Sequence, residues 1–149
     1  MIISYTQNDG TVEQRVNTDD LSALEAAAIE EAMDDVPWRA IEARLQAQDP
    51  TAMRAVLWVV RRRDEPDLEF GTFDVPGWRR RLKARITRDE IDDALTNIMR
   101  EALAKSEDSM IDVVTPHLRK LAVDPDDVDR CLDALGKGHL TRRHRDSED

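Results

Sequence analysis

The densest group of potential metal ligands in the sequence is a run of four aspartates, Asp124, Asp126, Asp127 and Asp129. A calcium loop between two helices places glycine at its sixth position, for a sharp turn, and a bidentate glutamate at its twelfth. Counted from Asp124, those positions hold Asp129 and Leu135, so the run does not fit such a loop. Acidic residues are also favoured in the first turn of a helix by its dipole, and we prefer that interpretation.

The histidines and the single cysteine offer no better site. His117, His139 and His144 contain no pair spaced by four residues and no HExxH, so they do not form a zinc signature with Cys131. Cys131 occupies an apolar helical position, which favours a small core residue over a nucleophile. The chain also lacks GxSxG, a phosphate loop and GxGxxG. We therefore predict no catalytic residue, no metal, no cofactor and no enzymatic activity.

The clearest binding chemistry lies in a basic band, residues 61–88. Its net charge is +4, whereas the segments before and after it each carry −7, within a total of −10. The candidate partner-binding residues are its arginine clusters and the neighbouring aromatic: Arg61, Arg62, Arg63, Trp78, Arg79, Arg80 and Arg81. Arginines beside an aromatic ring suit phosphate contact and base stacking. The sequence pI of about 4.8 argues against nucleic acid, so an acidic protein partner or the chain's own acidic helices are the simpler counterpart.

The elements that would carry these residues are mostly helical. Hydrophobic residues make up 40% and charged residues 36% of the 149 residues, as in a globular protein. No stretch approaches the roughly 18 apolar residues of a membrane span. One cysteine excludes an internal disulfide and fits a reducing compartment. The pattern predicts a mainly α fold, a helical bundle with a short N-terminal β-hairpin, and leaves open a division into two helical subdomains.

The N-terminal half contains a predicted hairpin and three predicted helices. Residues 1–16 read as two short strands around an Asn8-Asp9-Gly10 turn. Thr18, Asp19 or Asp20 would cap a helix, and its inward stripe is predicted to comprise Leu21, Leu24, Ala28 and Ala32. A second helix would start at Pro37 and align Trp38, Ile41 and Leu45. After Asp49-Pro50 comes the most hydrophobic segment, residues 53–60, which predicts a helix buried on most sides.

The C-terminal half also reads as helical. Thr87 and Glu90 form a predicted capping box, and Pro116 is expected to break or restart the next helix. Asp124-Pro125 would begin the last helix, and Gly136 would end it. The predicted organisation is therefore a hairpin and helical core over residues 1–75, a helical subdomain over residues 76–136, and a flexible charged tail over residues 137–149.

A series of short motifs follows the predicted hairpin in a fixed order. They are a Leu/Glu helix, a Trp segment, an Ala/Leu-rich helix ending in Leu-Trp and paired arginines, and then a Pro-Leu-Phe pattern with an acidic residue. The positions are Leu24, Glu25, Trp38, Leu57, Trp58, Arg61–Arg63, Pro66, Leu68, Phe70 and Asp74. In this order and spacing, residues 23–75 resemble the core of the tail assembly chaperones of long-tailed bacteriophages. Residues 76–149 show no equally clear match.

The resemblance implies a non-catalytic chaperone that binds the long, helical tape measure protein before tail-tube subunits polymerise around it. It implies action in the host cytoplasm and absence from the mature virion, with the tail-tube protein as a further partner and self-association left open. It also implies a longer, frameshifted form, for which Leu135-Gly136-Lys137 could encode a slippery heptamer; Gly136 as a simple helix stop is the competing interpretation. The rival function is a helical adaptor or regulatory protein that contacts nucleic acid through the basic band.

Overall fold

The computed structural model describes residues 1–7, 9–105 and 109–145, with residues 12, 13 and 137–145 as backbone only. The chain is 62% helical and carries a small three-stranded antiparallel sheet, which confirms the mainly α class. It divides into two compact units, Met1–Arg85 and Ile86–Asp149. None of the helices in the described part is long and apolar enough to span a membrane.

The sheet of the first unit combines the predicted hairpin with a strand from the basic band. Strands β1 (Ile2–Thr6) and β2 (Val12–Asn17) pair antiparallel, and β3 (Leu82–Arg85) joins the other side of β1. The predicted turn includes residue 8, which lies outside the described residues. Leu82 and Ala84 alternate with half-exposed Lys83 and Arg85, so one face of β3 enters the core. This strand was not predicted, because its four residues LKAR were read only as part of a charged run.

The free edge of β3 is closed by a side chain. Gln48 donates its Nε2 to the carbonyl oxygen of Ala84 at 2.8 Å and accepts the Ala84 amide on Oε1 at 3.1 Å. The side-chain amide thus satisfies both backbone groups that would otherwise pair with another strand. Gln48 itself has a left-handed backbone, with φ of 60°, which is uncommon outside glycine and is tolerated here beside two hydrogen bonds.

Helix α1 (Ala23–Ala32) buries a different face from the predicted one. Its buried residues are Ile29 and, just beyond its end, Met33, whereas Leu24 is 83% exposed. Its cap is Ser22 in a capping box with Glu25, because the predicted cap residues 18–20 form a 3-10 turn instead. The predicted stripe was wrong because α1 is apolar on more than one face, and the larger Ile29 and Met33 gain more from burial than alanines do.

Helices α2 (Trp38–Gln46) and α3 (Pro50–Arg61) bury most of the residues predicted for the rest of the N-terminal core, whereas Trp38 and Val60 are half-buried. Ile41 and Leu45 are fully buried on α2. Asp49 caps α3 by accepting the amides of Thr51 and Ala52 at 2.8 and 3.0 Å. Seven of the twelve residues of α3 are buried, and the helix packs against α1, α2 and all three strands. A helix surrounded on this many sides needs apolar residues around most of its circumference.

The second unit contains helices α5 (Arg88–Lys105), α6 (Ser109–Leu121) and α7 (Asp126–Arg145), after a four-residue α4 (Trp78–Arg81) in the first. The predicted capping box is present: Thr87 donates its amide to Glu90 at 2.8 Å, and Glu90 donates its amide to Thr87 Oγ1 at 3.4 Å. Residues Ile86 and Ala122, which precede α5 and α7, pair through a parallel bridge. Ile91, Leu95 and Val128 form the buried centre of this unit.

Two predicted helix ends in the second unit are wrong. Helix α6 continues through Pro116, and α7 continues through Gly136 to Arg145. A proline inside a helix removes one hydrogen bond but does not always stop the helix when packing holds both sides. The backbone of Gly136 is not left-handed, and a Cβ added there would meet open space. Gly136 therefore does not act as a helix stop. Residues 137–145, predicted as part of a flexible tail, continue this helix, and residues 146–149 lie outside the described residues.

The division between the units falls at Arg85/Ile86, ten residues after the boundary predicted at residue 75. The reason is β3. Because this strand pairs with β1, residues 76–85 belong to the first sheet and its core, although their composition alone resembles a charged linker.

Candidate protein-interaction surface

Two of the predicted partner-binding arginines hold the aromatic ring of Tyr5. The guanidinium carbons of Arg61 and Arg81 lie 5.1 and 4.6 Å from the ring centroid. Arg81 also donates a hydrogen bond to the Tyr5 hydroxyl, and its Nε donates to the Thr6 carbonyl oxygen at 3.0 Å. These contacts tie the segment before β3 to the central strand, so Arg81 stabilises the sheet.

The other two arginines at the end of α3 lie close together but in different electrostatic surroundings. Arg63 forms a two-point ion pair with Glu25 of α1, with Nε–Oε1 at 2.7 Å and Nη2–Oε2 at 3.0 Å. That pair, assisted by the backbone amide of Ser22, lowers the pKa of Glu25 from 4.5 to about 2. Arg62 lies 5.0 Å from the Trp58 ring centroid and donates Nε to the Pro66 carbonyl oxygen at 3.3 Å. Among the described residues no carboxylate pairs with Arg62.

Trp78, Arg79 and Arg80 lie on α4, away from this ion pair in sequence and element. Trp78 is half-buried, and the guanidinium carbon of Arg79 is 5.5 Å from its ring centroid. Arg79 and Arg80 are exposed. Gly77, with φ of 69°, lets the chain turn sharply into α4, a conformation that a residue with a Cβ adopts at a cost. Arg79 and Arg80 therefore remain accessible, whereas Arg81 on the same short helix is engaged with the sheet.

Sequence reasoning missed the residues that fix the loop between α3 and α4. Arg54 donates Nη1 to the carbonyl oxygens of Phe70 and Phe73 at 3.2 and 2.6 Å, and its guanidinium carbon is 4.0 Å from the Phe70 ring centroid. Trp58 donates its indole N–H to the Leu68 carbonyl oxygen at 2.9 Å. The aromatic residues of the loop were visible as anchors, but a lone arginine within an apolar helix carries no sequence signal for this contact.

A shallow apolar groove lies between α1 and the end of α3. Its volume is about 230 Å³, and its lining comprises Leu24, Glu25, Ala28, Val59, Arg62, Arg63 and Pro66. Leu24 is the most exposed large hydrophobic side chain in the described part of the chain. Ala27, one turn further along α1, is exposed too, and Ala28 is half-exposed. The groove therefore combines an open apolar surface with two arginines, of which Arg63 is paired with Glu25.

A second depression, of about 210 Å³, lies at the start of α3, beside Arg54, Asp74 and Trp78. The Nη1 of Arg54 already donates to two loop carbonyl oxygens. In the described part of the chain, no buried polar side-chain atom lacks a hydrogen-bond partner.

The acidic run and the cysteine of the second unit have structural partners. Asp124 accepts the Asp126 amide at 3.0 Å as a cap, and both Asp124 and Asp127 pair with Arg130. These bonds lower the pKa of Asp124. Cys131 is buried, as predicted for a core residue, and loss of hydration raises the pKa of its thiol. Among the described residues no cluster of three His, Cys, Asp or Glu side chains could hold a metal ion; the side chains of His139 and His144 lie outside them.

Comparison of the chain with protein-family models, curated proteins and solved structures gives no match. The resemblance of residues 23–75 to the phage tail assembly chaperones thus remains a prediction from sequence.

Proposed function

We propose that this protein is a non-catalytic chaperone that binds a long helical protein client, the tape measure protein of a bacteriophage tail, before the tail tube polymerises. The observation that carries the binding role is the second apolar face of α1, where Leu24 is 83% exposed beside Ala27 and Ala28. An exposed apolar face on a helix of a folded unit is typical of a surface that covers another helix. The identity of the client rests on the resemblance of residues 23–75.

The physical task fits this surface. A long helical client exposes apolar stripes that would aggregate before assembly, and a small helical protein can shield them reversibly. Reversible binding requires modest apolar area with charged neighbours, rather than the extensive hydrophobic interface of a permanent complex. The groove beside α1 has both features. The protein would act in the host cytoplasm, before the virion is complete.

A single co-expression experiment tests the proposal. The full chain would be produced with the long, predominantly helical protein encoded beside its gene, and the soluble fraction and co-purification of that protein measured. We expect a soluble complex that the client alone does not form. An insoluble client with no co-purification would reject the chaperone role, and a gene neighbourhood without a tail-tube gene and a very long helical gene would reject the phage assignment.

One observation favours the rival adaptor function: Arg79 and Arg80 are exposed beside a half-buried tryptophan. Such an arrangement can contact phosphates and stack on a base. The discriminating measurement is titration with single- and double-stranded DNA at two salt concentrations. Tight binding that weakens steeply with salt and disappears in an R79E/R80E variant would favour the nucleic-acid function over the chaperone.

A further inference from the structure

We propose that the groove between α1 and the end of α3 is the client-binding site, and that it selects an amphipathic helix with carboxylates beside its apolar stripe. The inference rests on the proposed function and adds to it the place of binding and the chemistry of the bound segment. It moves the site away from the arginines of α4, which sequence reasoning had grouped with those of α3.

The exposed face of α1 supports this assignment. The helix packs its buried face, marked by Ile29, against the rest of the first unit, and it turns Leu24, Ala27 and Ala28 outward. These three residues are spaced by three and four positions, so they share one face of the helix. Alanines at such positions let another helix approach closely, because the distance between helix axes depends on the side chains at the contact.

Beside that face lies a shallow, solvent-open depression of about 230 Å³, which gives room for an apolar side chain of a partner. Its apolar lining residues are Leu24, Ala28, Val59 and Pro66. A leucine or phenylalanine projecting from a bound helix would contact these side chains, which is the usual form of helix-in-groove recognition.

The charges beside the groove favour an acidic partner helix. Two arginines border the groove, but Glu25 compensates Arg63, and the carboxylates of Asp20 and Asp64 add to that compensation. Arg62 has no carboxylate partner in the part of the chain that the structure describes. Its guanidinium is held beside Trp58 and Pro66, so it is positioned before a partner arrives. An oriented cation that has no ion-pair partner among the described residues and lies beside an apolar groove complements a helix that carries an acidic residue next to its apolar stripe.

The probes are two designed helical peptides of equal length, with leucines at positions i, i+3, i+4 and i+7, flanked by glutamates in one and by lysines in the other. Fluorescence anisotropy would measure their binding to the full-length chain at low salt. We expect the glutamate peptide to bind at least tenfold more tightly than the lysine peptide. Equal affinities, or no binding of either peptide, would overturn the proposal.

The site is assigned by a matched pair of variants. Leu24→Glu places a charge on the exposed face of α1, and Leu103→Glu makes the same change at a leucine of α5 that is 62% exposed. We expect Leu24→Glu to weaken glutamate-peptide binding at least tenfold and Leu103→Glu to change it less than twofold. Since both side chains are exposed, circular dichroism and thermal melting should match the wild type for both. Equal effects of the two variants would overturn the groove assignment.

Charge exchange tests the role of Arg62. Arg62→Glu should reverse the order of preference between the two peptides, whereas R79E/R80E should leave that preference unchanged. An unchanged preference in Arg62→Glu would overturn the charge argument. The outcomes also separate this inference from the proposed function: a client complex that survives Leu24→Glu rejects the groove alone, and peptide binding without any client complex rejects the chaperone role alone.

Discussion

The two units of this protein are stabilised in different ways. In the first, one helix buried around most of its circumference packs on a three-stranded sheet, and Arg54 and Arg81 fasten loop and strand segments through carbonyl oxygens and aromatic rings. In the second, three amphipathic helices bury a narrower set of apolar residues, and its aspartates cap helices or pair with arginines at the surface. Arginines of the first unit thus anchor loop and strand segments as well as forming a surface ion pair, Arg63 with Glu25, whereas the described arginine contacts of the second unit are surface contacts.

This contrast changes the meaning of the basic band. A cluster of arginines in an acidic chain suggests a ligand, yet most of these side chains are engaged with the first unit itself. Arg79 and Arg80 on α4 are exposed, Arg62 beside the apolar groove is half-buried, and Arg63 is exposed but paired with Glu25. Charge counted along a sequence does not distinguish these situations, because the distinction depends on which aromatic rings and carbonyl groups lie within reach.

The strongest test of the comparison is to cut the chain at two nearby positions. A fragment of residues 1–85 retains β3, whereas a fragment of residues 1–75 loses Leu82 and Ala84, each 1% exposed, and the partner of Gln48. We expect cooperative thermal unfolding of the longer fragment and none of the shorter one, since a unit of this size has little stability to spare. Thermal melting followed by circular dichroism would measure the cooperativity of unfolding, and the dispersion of amide NMR signals would show whether each fragment is folded. Equally cooperative melting of residues 1–75 would show that β3 is not part of the first core.

The next largest effect should come from the buried face of α3. Leu57 is 2% exposed, and truncation to alanine should lower the free energy of unfolding by about 2–5 kcal/mol. Leu24→Ala is the matched control within the same unit and should change it by less than about 0.5 kcal/mol. Urea denaturation of the full-length variants provides the measurement. A loss below about 0.5 kcal/mol at Leu57 would reject its place in the core.

The arginines of α4 sharpen the contrast between anchoring and accessible cations. Arg81→Ala removes charged hydrogen bonds to Tyr5 and Thr6 and should cost about 1–3 kcal/mol in unfolding free energy. Arg80→Ala, an exposed neighbour, should cost less than about 0.5 kcal/mol. Similar costs for the two variants would contradict the anchoring role. For the same reason, a variant that reverses the charge of residues 79–81 together could lose binding simply because it unfolds.

The smallest predicted effect is pH-dependent. Because the folded pKa of Glu25 is about 2, below its ordinary 4.5, its contribution is fully present above about pH 4.5 and is lost as the pH falls towards 2. Glu25→Gln should lower the unfolding free energy by about 1 kcal/mol at pH 7, a modest value because Arg63 is half-exposed. The difference from the wild type should shrink across that acidic range in urea denaturation. A difference that is constant with pH would show that the ion pair does not stabilise the fold.

Sequence patterns predicted the parts of the fold that are governed by local signals. The hairpin, the Asp49 cap, the Thr87–Glu90 capping box and the burial of α3 all follow from short motifs or from a nearly continuous apolar run. The buried face of α1 was predicted wrongly, because the apolar pattern of an alanine-rich helix with apolar residues on two faces does not indicate which face is buried. Strand β3 was not predicted for a related reason. Its charged sequence forms a strand only because it pairs with β1, which lies almost eighty residues earlier in the chain.

The candidate site likewise depends partly on local sequence signals and partly on tertiary contacts. The six arginines and Trp78 were predicted together as partner-binding residues, but they lie at the end of α3 and on α4. Tertiary contacts decide which of the arginines are available, and Arg54 had no sequence signal at all. Leu24 was assigned to the core, yet its exposure now makes it the centre of the proposed site. A position where local pattern and tertiary packing disagree is a reasonable place to look for function.

Hydrogen exchange measured by mass spectrometry on the full-length chain, with and without its long helical client, tests the central claim most directly. A helix bound in the groove would slow amide exchange in α1 and in residues 59–66, because local opening of these segments would require the client to leave. We expect protection there and unchanged exchange in residues 78–81. Protection confined to α4 or to the second unit, with α1 exchanging as in the free protein, would contradict the proposed binding site.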